Sequence, residues 1–230
     1  MVTRLGALQA CLIRDALKAF PPPELVLMSP QPRALQSTIP TLDSAGKEVP
    51  NKEDDRLGDF MYLDPVLYIQ KTSKDRGPSK IAYWQALDSD LSIAEGAESF
   101  SHFISRVKDF ISDIAQRPEE TIYVFTHGYF IKAVEIIAKK TDASNQELMR
   151  LFREDEFEKI RENEIVNSSK HIKNGEIVEI DVDSDGTMKI VKNHRDHLDR
   201  LKGLNPDTAT LKDIRLPRTP EQPRKSRGRE

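Results

Sequence analysis

With 230 residues, 37% hydrophobic and 32% charged, the chain can bury one core while keeping a heavily solvated surface. A formal net charge of -3 excludes binding of polyanions by bulk charge, and a single cysteine, Cys11, excludes an internal disulfide. No apolar run of about 18 residues and no signal-peptide layout is present, which predicts a soluble cytoplasmic protein with no membrane span.

Residues 3–19 read as a helix with Leu5, Leu8, Leu12 and Ala16 along one face and Cys11 as a buried thiol. "FPPPE" (20–24) stops it, and "LVLM" (25–28) is a short apolar run between breakers, the mark of a buried strand. "SPQPRALQST" (29–38) opens the next helix with Pro32 in its first turn, and Pro40 is expected to kink or end it. Residues 61–92 lack a clean period and read as an irregular, lid-like insertion. Within it, "FMYLDPVLYIQ" (60–70) and "YW" (83–84) are read as packed core, with a substrate-lining role as the alternative.

"ESFSHFISRVKDFISDIAQR" (98–117) holds the 3.6-residue period most clearly. Strand 121–125 follows, then Thr126-His127-Gly128 and a helix near 129–140. A charge-rich helix spans 145–161, with "REDEFEKIRE" read as mostly solvated. "EIVEIDV" (176–182), "DSDG" (183–186) and "TMKIV" (187–191) read as a hairpin. The domain is placed at 1–202. Residues 203–230 read as a disordered tail, whose end (215–230) carries six basic and two acidic residues. A solvated tail is preferred there to a nucleic-acid contact. No cysteine–histidine metal cluster is visible.

Alternating helices and strands predict a three-layer α/β domain, a largely parallel sheet flanked by helices. Ligands of such sheets bind beyond the carboxyl ends of the strands. Two loops stand there: Ser29 to Arg33 after strand 25–28, and His127 after strand 121–125. Each opens a helix, where free N–H groups and the dipole attract anions. Arg33 adds a planar fork suited to phosphate oxygens, His127 adds a donor and a second charge if protonated, and Gly128 lets backbone approach a ligand.

In sequence order, several segments resemble the histidine phosphatase, or phosphoglycerate mutase-like, superfamily. "SPQPRALQS" is similar to its Ser-Pro-x-x-Arg-Ala-x-Gln-Thr element, and "VFTHGYFIKAV" to its second histidine motif. "TRLGALQACLIRDAL" (3–17), "DDRLGDF" (54–60), "GAESFSHFISRV" (96–107) and "IVNSS" (165–169) resemble further segments, out to about residue 191. The resemblance implies a phosphohistidine phosphatase acting on a phosphorylated small molecule or phosphoprotein, without cofactor or metal. It implies Arg33 and Ser29 as phosphate ligands, His127 as the second pocket histidine and Asp59 as the acid that protonates the leaving oxygen. A phosphatase is expected rather than a glycolytic mutase, whose longer inserted segments are not seen.

One element of the family pattern is not found. Its nucleophilic histidine lies in an Arg-His-Gly segment ending a first strand, and no Arg-His-Gly occurs in this sequence. Two expectations follow: an ordinary enzyme with residues upstream of Met1, or a catalytically inactive phosphate-binding relative that keeps half the pocket. The sequence leaves the oligomeric state open.

Overall fold

The computed structural model describes residues 2–46, 48–70, 72, 75–161 and 172–205. The first helix, α1 (Arg4–Leu17), is capped by Thr3, whose hydroxyl accepts the Gly6 N–H at 3.1 Å. Cys11 lies in it half-buried rather than buried, at the flank of the Leu8–Leu12 stripe. The strand β1 (Leu25–Met28) is buried throughout because it is the central strand of the sheet.

The second helix, α2 (Pro32–Ala45), runs on through Pro40, contrary to the expected kink. Proline removes one backbone donor there, but α2 packs along α1 and buries Ala34, Thr38 and Thr41 on both sides of the break. Packing of that face outweighs one lost hydrogen bond. The strand β2 (Asn51–Glu53) follows, then a 3-10 turn at Asp55–Leu57 capped by Asp54.

The insertion expected to be irregular holds two helices, α3 (Pro65–Gln70) and α4 (Gly77–Ala86). Gly77-Pro78 serves as the first turn of α4, where proline's missing N–H has no helical partner to lose. Tyr62, Tyr83 and Trp84 are buried here, so the aromatics belong to the core. Phe60 stacks on Phe103 at 4.5 Å, and Trp84 stacks on Phe152 at 6.2 Å.

The helix α5 (Phe100–Ala115) is capped by Ser99 and buries Phe100, Phe103, Ile104, Val107, Phe110 and Ile111. The strand β3 (Ile122–Phe125) leads into α6 (Gly128–Lys139), and α7 (Asn145–Arg161) follows. The charged end of α7 is not wholly solvated, because Glu156 is buried and accepts from the Tyr129 hydroxyl at 2.8 Å. The hairpin is present as β4 (Ile177–Val182) and β5 (Met188–His194), antiparallel with a bulge at Glu179/Ile180. A 3-10 turn at Asp196–Leu201 ends the described fold. The tail from 206 and the segment "IVNSS" lie outside the described residues.

The main sheet has the order β2-β1-β3, all parallel, with helices packed against it. Polar, exposed β2 has no sequence signal of its own; it is a strand because Val26, Leu27 and Met28 pair with Asn51, Lys52 and Glu53. The Glu24 and Ser29 N–H groups donate to the Thr121 and Phe125 carbonyls, so those carbonyls face β1. Alternation along a strand then turns the backbone groups of Ile122 and Val124 to the opposite edge. Among the described residues no strand pairs with that edge, and Val124 is 38% exposed on it.

Candidate active site

The sheet brings Ser29 and His127 side by side, because β1 and β3 are paired in register up to Met28 and Phe125. His127 is the N-cap of α6, but its ring makes no capping bond and turns into the site instead. Its Nε2 lies 2.9 Å from the Oγ of Ser29, and both residues are buried. Pro32 starts α2, which places Arg33 in the first turn on the same side. Arg33 Nε donates to His127 Nδ1 at 3.1 Å, and its NH2 group donates to the Asp59 carboxylate at 2.7 Å.

These bonds fix the tautomer. A guanidinium only donates, so Nδ1 accepts and the ring proton sits on Nε2, pointing at Ser29 Oγ. Ser29 Oγ also accepts the Gln31 N–H at 3.3 Å, which leaves its own proton for another acceptor. Burial, with Arg33 and Arg106 nearby, pushes the His127 pKa down to about 3. The ring is therefore a neutral donor, and the second positive charge expected of it is absent at neutral pH.

Asp59 has the opposite bias. Burial pushes its carboxyl up, against the pull of Arg33. Its loop is held by Arg106, which donates to the carbonyls of Arg56, Gly58 and Asp59. Arg106 is anchored in turn by Glu98 at 2.7 and 2.8 Å. Arg56 ties the loop's start to Asp54 and Asp113, and the Thr126 hydroxyl donates to the Leu57 carbonyl at 2.7 Å. Three loops are thus one bonded unit. Sequence reasoning missed Arg106 and Glu98; the only hint is their eight-residue spacing across the start of a strongly periodic helix.

Ser29, Arg33, Asp59 and His127, four of the five residues named from the sequence, therefore meet. The fifth, Gly128, opens α6 next to His127. Its φ is not positive, and a Cβ built there meets nothing within 4 Å. The backbone does not require glycine; its missing side chain leaves space. That space is part of a cavity of about 220 Å³ lined by Asp59, Gly128, Tyr129, Lys132, Asp155 and Ile172. His102, His194 and His197 bond elsewhere, to Glu98, Glu179 and the Gly175 carbonyl, and His171 lies outside the described residues. Among the described residues no group of three or more histidine, cysteine or acidic side chains is placed to hold a metal ion.

The family model of the histidine phosphatase superfamily (branch 1) matches residues 2–155. Among solved structures, YhfR of Bacillus stearothermophilus is similar at 20% identity, over 83% of this chain and 82% of that one, with a TM-score of 0.58. The alpha-ribazole phosphatase of Shigella flexneri is 16% identical over 79% and 78% of the two chains, with a TM-score of 0.55. A mycobacterial glucosyl-3-phosphoglycerate phosphatase complexed with VO3 is 14% identical over 82% and 83%, with a TM-score of 0.52. These likenesses establish the fold. No curated protein matches the chain.

Proposed function

The chain belongs to the histidine phosphatase superfamily, and from that premise we propose that it binds the phosphoryl group of a phosphomonoester between Ser29, Arg33, Asp59 and His127. The observation that carries this reading is the Arg33 fork, which links Asp59 and His127 across three separate segments. Both α2 and α6 begin at the site, and the positive end of a helix dipole favours an anion. An entering phosphate takes the guanidinium from Asp59. It also accepts from Ser29 and from the Nε2–H of His127, whose neutrality leaves it free of competing charge.

Hydrolysis needs one group more. A nucleophilic imidazole attacks phosphorus, the P–O ester bond breaks, and the leaving alkoxide takes the proton of Asp59. Water then attacks the phosphohistidine, its proton goes to the Asp59 carboxylate, and phosphate departs. Both ring nitrogens of His127 are engaged, and it is buried, so it is assigned to binding and not to attack. A segment preceding Met1 and carrying Arg-His-Gly would supply the nucleophile. Among the described residues no strand pairs with the outer edge of β3, which supports this, since a strand laid along it would end beside His127. The second reading is a phosphate-binding relative without turnover. The favouring observation is that no other described histidine reaches the site.

The test has two parts. Inorganic phosphate or vanadate titrated into the 230-residue chain should saturate, and Arg33→Ala should weaken binding about 10- to 100-fold, the loss expected for charge-assisted bonds. No saturable response at millimolar ligand would reject the binding site. Turnover of p-nitrophenyl phosphate by a longer chain, lost in Asp59→Asn, supports the enzyme; binding without turnover in both lengths supports the second reading.

A further inference from the structure

Arg106 reaches the acid loop from α5 with a side chain only 13% exposed. Its guanidinium carries five N–H donors, and all five are engaged. Two go to the two carboxylate oxygens of Glu98, at 2.7 and 2.8 Å. The other three go to the carbonyls of Arg56, Gly58 and Asp59. The Glu98 N–H donates in turn to the Met61 carbonyl at 2.8 Å, so the chain is held on both sides of Asp59.

Packing repeats that hold. The guanidinium lies over the Phe103 ring, 4.8 Å from its centroid, and Phe103 stacks on Phe60 at 4.5 Å. Phe60 follows Asp59, and its N–H donates to Asp59 Oδ1 at 3.0 Å. The other oxygen, Oδ2, accepts from Arg33 at 2.7 Å. The two arginines therefore hold the acid in different ways. Arg33 grips the carboxylate itself and is the group that an entering phosphate takes. Arg106 grips the backbone and has no donor left for an anion, so it stays.

We propose that Arg106 is the positioning residue of the acid: it fixes the place of the Asp59 carboxyl, against Arg33 in the empty site and toward the ester oxygen once phosphate has drawn Arg33 away. The inference rests on the phosphate site described above. The task needs a planar fork, because five acceptors on two segments must be spanned at once. An ammonium offers three donors from a single atom and cannot span them. Arg106→Lys thus keeps the charge and loses the span. The loop gains freedom, and Asp59 spends less time on Arg33.

Calorimetry with inorganic phosphate on the 230-residue chain tests this. At about pH 8, far above the usual carboxylate range, Asp59 competes with phosphate for Arg33. Asp59→Asn removes that charged competitor and should tighten phosphate about 10-fold. Arg106→Lys should tighten it about 3-fold and add nothing in the Asp59→Asn background, the non-additivity of a residue that acts through another. A residue that only supported the fold would weaken binding in both backgrounds. Glu98→Gln, which removes one acceptor of the fork, should repeat the pattern, and it decides the matter if Arg106→Lys loses the native circular dichroism spectrum. Four results overturn this inference and leave the phosphate site standing: affinity unchanged by Asp59→Asn, affinity weakened or unchanged by a natively folded Arg106→Lys, an equal effect with and without the Asp59 carboxylate, or loss of the native spectrum in both fork variants. Failure of phosphate to bind any of these chains overturns both.

Discussion

The guanidinium of Arg33 serves two acceptors of opposite habit: a carboxyl pushed up by burial and an imidazole pushed down by it. The imidazole carries a testable sign. Its folded pKa lies near 3, against 6.5 in a free chain, so the folded state binds fewer protons. Its stabilising contribution is complete above about pH 6.5 and is lost as pH falls toward 3, on the order of 5 kcal/mol in all. Asp59 runs the other way, because its raised carboxyl favours folding as pH falls. Chemical denaturation at stepped pH should therefore show an acid-side loss that is steeper in Asp59→Asn and shallower in His127→Asn. An unchanged slope in His127→Asn would contradict a neutral buried ring. At this scale the sequence was informative for residues that end strands: Ser29, Arg33 and His127 sit at punctuation a reader can see. Arg106 was missed, because the loop it holds is bound through backbone carbonyls 47 to 50 positions away, which no side-chain pattern records; only its pairing with Glu98 left a trace.

Among the elements, those with a strong period or a strong run were legible: α5, α6, β1, β3 and the β4–β5 hairpin. Two misreadings have different causes. Residues 61–92 showed no clean period because α3 and α4 are short, and Pro78 falls in the first turn of α4, where it costs nothing. Pro40 was read as a break, but it falls inside α2 and costs a hydrogen bond that packing absorbs. This second case is open to measurement. Pro40→Ala restores an N–H able to donate to the Gln36 carbonyl, and it should stabilise the protein by about 1–3 kcal/mol. A higher urea midpoint with an unchanged m-value is the expected result. A lower midpoint would mean that proline's limit on the unfolded chain outweighs the missing bond. β2 was not legible at all, since three polar residues become a strand only when β1 is already beside them.

For the molecule as a whole, one aromatic-rich core joins α4, α5, α6, α7 and the sheet, while α1 and the final 3-10 turn form a smaller cluster. Among the described residues no helix is long and apolar enough to cross a membrane. Among the described residues no strand pairs with the outer edge of β3, and unpaired strand groups template association. Val124 lies on it, so Val124→Lys should lower concentration-dependent light scattering without moving the unfolding midpoint by more than about 0.5 kcal/mol, the usual range for an exposed site. Unchanged scattering would show that the edge is covered.

The pairing of β1 with β3 also sets a clock. Leu25 meets Ile122 only after about 100 further residues exist, and at about 5–20 residues per second that is a wait of roughly 5–20 s on the ribosome. Until then Leu25–Met28, the most apolar strand of the sheet, can pair only with polar Asn51–Glu53. The nascent chain thus holds half a sheet, and half of its phosphate pocket, for about two-fifths of its synthesis. Whatever shelters that strand during those seconds decides how much of the protein reaches its fold.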